Sequence, residues 1–412
     1  MAQLLSVHDA QLRILRSIKP VKDETIPLSM AYDRVLSIAI KAPIDFPTFA
    51  NSSMDGFAVR STDIRGAAPD SPVVLDVIGD IPAGSIPGRP ISDGQCMRIM
   101  TGAMLPDGSD AVIPIEETDI DYRITDNPLP KNVAIYQYVQ ANTNIRPVGQ
   151  DIKTNEIVME AHSQLHAQEI GFLAMIDISL VPVFCLPKVA VLSSGDELIP
   201  VGEPLTQGKI HDSNAYMLKG LVNKYGGEVI DLGIIRDNLD DVKANLDKAV
   251  ESGVDLILSS AGVSVGAFDY VRTVVESYGS LDFWRVNVRP GKPIAFGDYK
   301  GTPIIGLPGN PVSAFVGFEI FVKPVLERLG GIQSRVRRTV RVRITHPIES
   351  DGRESYLRAV IKQRAGCWEA ELTGHQGSGN LRSLVAANAL LIIPSEVKFL
   401  PSGTKVDAWI FD

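Results

Sequence analysis

At 412 residues the chain is too long for one hydrophobic core and has room for roughly three or four domains. A formal net charge of −9 excludes a nonspecific nucleic-acid binder, and no run of about eighteen apolar residues marks a membrane span. Three scattered cysteines, Cys96, Cys185 and Cys367, contain no C-x-x-C, so they give neither a zinc site nor a disulfide framework and fit a reducing cytoplasm. The opening MAQLLSVHDAQ lacks the charged and apolar blocks of a secretion signal, so a cytoplasmic protein is expected.

Residues 1–44 read as helical. Ser6 and Asp9 form an N-terminal cap pair, Val7, Ala10, Ile14, Leu15 and Ile18 make an apolar stripe, and Pro20 ends the helix. A second short helix is expected over Met30–Leu36. The pattern changes at Pro43. Residues 45–145 are rich in Pro, Gly, Asp and β-branched residues, with runs such as Val73 to Ile78, and predict a small β-rich domain. Two polar turns stand out, Asn51 to Val59 and Arg98 to Ala103. The Asp55-Gly56 step in the first reads as a hairpin turn, with a carboxylate available to a metal or a proton if another domain faces it. Residues 146–186 return to helical periodicity, so the two helical pieces are expected to pack as one unit with 45–145 inserted between them. His162 and His166 have i,i+4 spacing but lack the Glu of H-E-x-x-H and a third ligand, which reads as solvated helix histidines.

Residues 187–330 alternate strand and helix, as in a doubly wound α/β domain with a largely parallel sheet. Strands are predicted at Val189–Leu192, Val229–Ile235, Asp255–Leu258 and Ile304–Leu307. Helices are predicted over Ser213–Tyr225, opening at His211-Asp212-Ser213-Asn214, and over Leu239–Ser252. Another starts near Asp269. Ligands of such sheets sit beyond the C-terminal strand ends. Glu197, Asp237 and Asp269 all fall there, and three carboxylates on one rim suit Mg²⁺ shared with substrate phosphates. The turn holding Gly262, Ser264 and Gly266 is neither a dinucleotide nor a Walker fingerprint, but it can aim backbone N–H groups at an anion. Arg285, Arg289 and Lys292 follow as a cation cluster. Pro308-Gly309-Asn310-Pro311 then starts a helix with Asn310 as cap and Pro311 first, a second anion seat. The stretch reads as a pocket for a multiply charged phosphate ligand.

Residues 331–412 are β-rich again, with strands expected at Val340–Ile344, Tyr356–Ile361, Trp368–Leu372, Ala389–Ile393 and Lys405–Ile410, hence a small barrel or sandwich. Arg358 lies within a strand. The loop Gly374 to Gly379 reads as a hairpin loop whose bare N–H groups and Ser378 could bind a small oxyanion.

Taken in order, NSSMDGFAVR (51–60), RIMTGAMLPDGSDAVI (98–113), IRPVGQDI (145–152), SSGDEL (193–198), HDSNAYML (211–218), AGVSVGAFDY (261–270), VRPGKPIAFG (288–297), LPGNPVSAFVGFE (307–319) and GSGNLRSLVAANAL (377–390) resemble one family closely. It is that of the molybdopterin molybdenumtransferases, bacterial MoeA and the gephyrin E domain. The resemblance implies an α/β multidomain fold: a discontinuous helical linker domain (1–44 and 146–186), an inserted β-rich domain (45–145), a molybdopterin-binding α/β domain (187–330) and a C-terminal β-barrel (331–412). It also implies a homodimer and the last step of molybdenum cofactor synthesis. There, adenylylated molybdopterin and molybdate enter, AMP leaves and Mg²⁺ assists.

On that resemblance Glu197, Asp237 and Asp269 position the metal, and Arg285, Arg289 and Lys292 neutralise phosphate and molybdate. Gly262, Ser264, Gly266, Pro308, Asn310, Pro311 and Ser313 line the ligand, Arg358 and Ser378 seat molybdate, and Asp55, Thr101 and Asp151 complete the cleft. Implied partners are a molybdopterin adenylyltransferase and molybdoenzyme chaperones, with no nucleic acid and no membrane. Arg285 and Arg289 stand where the family usually has lysine, Ala261 where glycine is common, Ser194 for threonine and Phe57 for tyrosine. The planar arginine forks raise a tungstate-preferring insertase as an alternative. A dimeric scaffold and a molybdopterin adenylyltransferase are the other two.

Overall fold

The first helix, α1 (Val7–Ser17), begins as its sequence predicts. Ser6 accepts the Asp9 N–H at 3.0 Å, and Val7, Ala10 and Ile14 are buried. The computed structural model describes residues 4–121, 128–261, 267–333, 337–364 and 366–411. The chain gathers into two units: Met1–Ile38, Ala161–Ile170 and Leu180–Asp412 form one, and Ala39–Glu160 with Gly171–Ser179 the other.

The second unit holds a five-stranded sheet of β1 (Gly56–Val59), β2 (Val73–Ile81), β3 (Gln95–Ile99), β4 (Ala111–Pro114) and β5 (Asn132–Ile135), in the order β4-β1-β3-β2-β5. Its strands alternate between two buried clusters. Phe57, Val59 and Ile113 enter one, and Ala58, Ile99 and Val112 the other. Asp55-Gly56 is not a hairpin turn. Gly56 opens β1 between β3 and β4, and a Cβ on it would lie 1.8 Å from the Ile113 carbonyl oxygen, so the glycine serves close strand approach.

The expected helix at Met30–Leu36 is absent. A strand at Asp23–Pro27 and one 3₁₀ turn at Leu28–Met30 precede that stretch, and within it Val35 bridges to Gln164 and Leu36 to Val183. The strand at Asp23–Pro27 pairs with Leu180–Phe184. Tertiary pairing outweighs a weak apolar period over so short a run. Helix α2 (Ala167–Met175) is shorter than the helical pattern, and His162 lies outside it with φ of 68°. Its ring bonds the Gly331 carbonyl at 2.7 Å and stacks on Phe184, so it is a packed histidine and not a solvated helix one.

The first unit is built on a six-stranded sheet. Its members are β6 (Lys188–Ser194), β7 (Glu228–Ile235), β8 (Leu256–Ala261), β9 (Gly279–Arg285), β10 (Pro293–Tyr299) and β11 (Thr302–Pro308), in the order β7-β6-β8-β11-β10-β9. The first four in that order are parallel, and β10 runs antiparallel to both its neighbours. Val189, Val191, Leu256, Leu258, Ile305 and Leu307 face α1, α3 (Ser213–Lys224), α6 (Pro311–Gly317) and α7 (Lys323–Leu329). Ala190, Leu192, Ile257 and Ile304 face α4 (Leu239–Glu251) and α5 (Ala267–Tyr278). Helices on both faces make the sheet doubly wound and explain its near-continuous apolar strands.

The C-terminal strands β12 (Thr339–Ile344), β13 (Glu354–Arg364), β14 (Cys367–Leu372), β15 (Ala389–Ile393) and β16 (Lys405–Ile410) run β13-β14-β12-β16-β15 and close through β13–β15 pairing. Val342, Leu357, Ala359, Leu391 and Val406 fill this barrel. Closure removes the exposed edges that a sandwich would leave.

Candidate active site

The parallel strands of the α/β sheet end on one edge, and the polar residues there come from their last positions and the turns that follow. Ser194 closes β6 and donates its hydroxyl to Asp237 Oδ1 at 2.6 Å, fixing a carboxylate from the turn after β7. Gly195 has φ of +155°, and a Cβ on it would lie 2.6 Å from Glu197 Oε2. Only glycine lets Glu197 fold back over that turn. The Asp237 N–H points to Asp196 Oδ1 at 3.5 Å, so the two turns face each other. Glu197 makes no side-chain hydrogen bond or ion pair among the described residues. Asp269 stands in the first turn of α5, with its side chain outside the described residues. Gly262, Ser264 and Gly266 also lie outside them.

Cations arrive from the far side of the sheet. Arg285 ends β9 on the same edge, and the Val286 N–H closes the following loop on the Lys292 carbonyl at 3.0 Å. Gly291 in that loop has φ of +105°, and a Cβ there would sit 3.5 Å from the Ser313 carbonyl and 3.6 Å from Pro308 Cγ. The cation loop therefore rests on the first turn of α6. Val288–Arg289 also pairs in parallel with Glu354–Ser355, which ties the loop to the barrel. Arg289 lies 4.0 Å from Asp351 and is two-thirds buried. Arg285 and Lys292 are exposed and make no ion pair among the described residues.

Helix α6 starts as expected, with Asn310 at the N-cap and Pro311 first, but the Asn310 side chain makes no capping bond. The Val312 N–H is taken by the Ser378 carbonyl at 3.1 Å, so part of the second anion seat is already used to dock the barrel loop. Asn214 in α3 bonds both Ser260 Oγ, at 2.8 Å, and the Gly309 carbonyl, at 2.7 Å, locking the ends of β8 and β11 together. Sequence reasoning gave Asn214 no role, although the polar run at the start of α3 was visible.

Arg358 is fully buried beneath the loop that carries Ser378. Its guanidinium donates to Ser383 Oγ at 3.1 Å and to the carbonyls of Gln376 at 3.2 Å, Gly377 at 3.0 Å and His375 at 3.4 Å. Gln376 returns the bond, accepting the Arg358 N–H at 3.0 Å and donating to its carbonyl at 3.1 Å. No carboxylate pairs with Arg358 among the described residues. Burial first, and then the Arg289 charge, lower its pKa to about 10, so it stays cationic at neutral pH. Its place is under the loop, as a charged clamp, and Ser378 in the loop is half-buried. The loop leads into helix α8 (Leu381–Val385), so it is not a simple hairpin.

Asp55, Thr101 and Asp151 lie in the second unit. The two polar turns noted in the sequence meet there. Asp55 Oδ1 accepts both the Thr101 N–H, at 2.6 Å, and its hydroxyl, at 2.8 Å. Asp151 pairs with Arg146.

Three family models match in succession. They are the MoeA N-terminal region (domain I and II) over residues 5–176, a probable molybdopterin binding domain over 190–328, and the MoeA C-terminal region (domain IV) over 341–411. A molybdopterin molybdenumtransferase of a Nostoc species is 37% identical over 93% of this chain and 87% of its own. One of Haemophilus influenzae is 35% identical over 98% of each. A solved molybdopterin biosynthesis MoeA protein from Pyrococcus horikosii superposes over the whole of both chains, with a TM-score of 0.84 at 31% identity. The chain belongs to the MoeA family of molybdopterin molybdenumtransferases.

Proposed function

We propose that this chain carries out the last step of molybdenum cofactor synthesis, transferring molybdenum from molybdate to adenylylated molybdopterin with release of AMP. What supports this reading is that four groups follow the same strand ends of one sheet: Glu197 and Asp237 after β6 and β7, the Arg285–Lys292 loop after β9, the start of α6 after β11, and the Ser378 loop docked on α6. Such a site suits a diphosphate beside a tetrahedral oxyanion. Arg285, Arg289 and Lys292 bind and orient the anions, with Arg358 adding positive charge from below. Ser378 and the first turn of α6 offer hydrogen-bond donors to molybdate.

The donor set also suits Mg²⁺, a hard cation that takes one or two carboxylates and completes its shell from phosphates and water. Glu197 and Asp237 would hold it, with Asp269 as the third candidate. When bound it neutralises charge building on the diphosphate as AMP departs. Ser194 keeps Asp237 in one orientation for that purpose. Asp55, Thr101 and Asp151 are assigned to the same chemistry in a cytoplasmic homodimer, as the family resemblance implies.

The test is AMP release from adenylylated molybdopterin by the purified protein, with molybdate, with tungstate and with neither, each with and without Mg²⁺. Release that needs both oxyanion and Mg²⁺ is expected. AMP release independent of any oxyanion, or none from a folded protein, would overturn the reading. A tungstate preference would trace to Arg285 and Arg289.

A further inference from the structure

A turn just before β13 reaches back to the cation loop. Its sequence, Ser350-Asp351-Gly352-Arg353, places an acid and a base on either side of a glycine. Gly352 has φ of +86°, which lets Arg353 curl back on Asp351. The Arg353 N–H donates to Asp351 Oδ1 at 3.1 Å, as in an Asx turn, and its Nε and Nη2 both donate to Oδ2, at 3.0 and 2.5 Å. Neighbouring bonds pin the turn. Glu396 donates its N–H to the Gly352 carbonyl at 2.7 Å, Ser350 its own to the Lys398 carbonyl at 2.9 Å, and the buried Ser355 hydroxyl bonds the Arg353 carbonyl at 2.9 Å.

Two contacts run from this turn to the cation loop. Arg353 Nη1 donates to the Val288 carbonyl at 3.1 Å. Asp351 Oδ2 lies 4.0 Å from Arg289 Nη1, an ion pair too long for a hydrogen bond. Asp351 is therefore shared by two guanidiniums, hydrogen-bonded to one and only close to the other. A guanidinium carries five N–H donors in a plane, so an edge near Asp351 leaves others for an anion. Without Arg353 the Asp351 charge would fall on Arg289 and offset it. With Arg353 the three groups keep one positive charge in excess.

We infer that Arg353 is a positioning residue for Arg289. It holds the backbone beside Arg289 through the Val288 carbonyl, and it takes up the Asp351 charge, so that Asp351 orients Arg289 without cancelling it. The Asp351–Arg353 pair thus sets how strongly the cation loop draws an oxyanion. The inference rests on the reading of Arg289 as an anion ligand of the transferase and adds what tunes that ligand.

Counting charge gives an order that binding can check. Asp351→Asn keeps an acceptor for the turn and raises the local charge by one. Arg353→Gln keeps an amide donor and lowers it by one. The double variant restores the parental count. The measurements, on the full chain, are equilibrium binding of molybdate at low and high salt, and steady-state AMP release. We expect Asp351→Asn to bind molybdate roughly three- to tenfold more tightly than the parent and Arg353→Gln to bind it more weakly by a similar factor. The double variant should return to within about twofold of the parent. The gaps should shrink at high salt, and KM for molybdate should move more than kcat. A double variant as weak as Arg353→Gln would make Arg353 a purely structural clamp, and gaps indifferent to salt would remove charge from the explanation; either overturns the inference. If both single variants bind like the parent while the parent releases AMP, the inference fails and the transferase reading stands. If the order holds but the parent releases no AMP, the tuning of Arg289 survives and the transferase reading fails. A parent that binds no molybdate would show that Arg289 is not an oxyanion ligand, and the inference would fall whatever the AMP assay gives.

Discussion

The second unit and the sheet edge of the first treat their charged side chains in opposite ways. In the second unit an aspartate is repeatedly clamped by the N–H and hydroxyl of one Ser or Thr. Thr154 donates both to Asp45 at 2.7 Å, Ser61 donates both to Asp110 at 2.6 and 2.8 Å, and Thr101 donates both to Asp55. These bonds fasten distant loops, and the Thr154 pair holds the Asp45 carboxyl below its usual range. At the sheet edge of the first unit, Glu197, Arg285, Lys292 and Arg236 make no side-chain ion pair among the described residues. Closed carboxylates hold a fold together, whereas open ones beside open cations await a charged ligand. Asp55 combines the two, because both Thr101 bonds fall on Oδ1 and the exposed group keeps Oδ2 for another partner.

Breaking an open group should cost chemistry and spare the fold. Asp237→Asn still accepts from Ser194 but loses its charge. We expect AMP release to slow roughly 30- to 1,000-fold, or about 2–4 kcal/mol of transition-state stabilisation, with the melting temperature unchanged. A variant that melts early would mark Asp237 as structural. Breaking a closed group should do the reverse. Arg358→Met leaves three carbonyls and a hydroxyl without their buried donor, and we expect a loss of about 3 kcal/mol in urea unfolding. Stability equal to the parent would mean that the loop holds itself.

Asp55 separates the two roles within one residue. Asp55→Ala removes the clamp and should cost about 1–3 kcal/mol of stability. Asp55→Asn keeps the acceptor, so any fall in its turnover at parental stability reports a site role.

The smallest effect concerns pH. Lys243, Lys300 and Tyr299 all bond Asp247, at 2.6, 2.6 and 2.7 Å, and hold its carboxyl far below the usual range. A lowered folded pKa means that this stabilisation is present above the unfolded value, about 4, and is lost as pH falls through the folded one. Asp247→Asn should therefore melt earlier than the parent at pH 7, with the gap narrowing below about pH 4. A gap that does not change with pH would remove the charge from the explanation.

Much of the α/β sheet was legible because its strands are short apolar runs ended by turns, and those of the barrel because they alternate. The rim carboxylates followed from the rule that α/β ligands sit past the strand ends, which needs only strand positions. Less could be read where tertiary contact decides. Met30–Leu36 has a helical period but is drawn into pairing with Val183. Gly56 resembles a turn glycine and is a packing glycine. Arg358 was assigned to molybdate on the family resemblance, since its own strand gave it no role. Its burial under carbonyls placed 17–19 residues later is a loop-closure fact that no local pattern carries. Asn214 sat in a run that locally read as a helix start, although HDSNAYML was among the segments carrying the resemblance, and its bonds to Ser260 and Gly309 exist only in three dimensions.

The most direct test of the central claim compares Asp237→Asn with the parent for molybdate-dependent AMP release, each protein's melting temperature being measured on the same preparation. The account predicts parental melting and turnover lowered by about 30-fold or more. Parental turnover in the Asp237→Asn protein would contradict it, because the sheet edge would then not be where the transfer occurs.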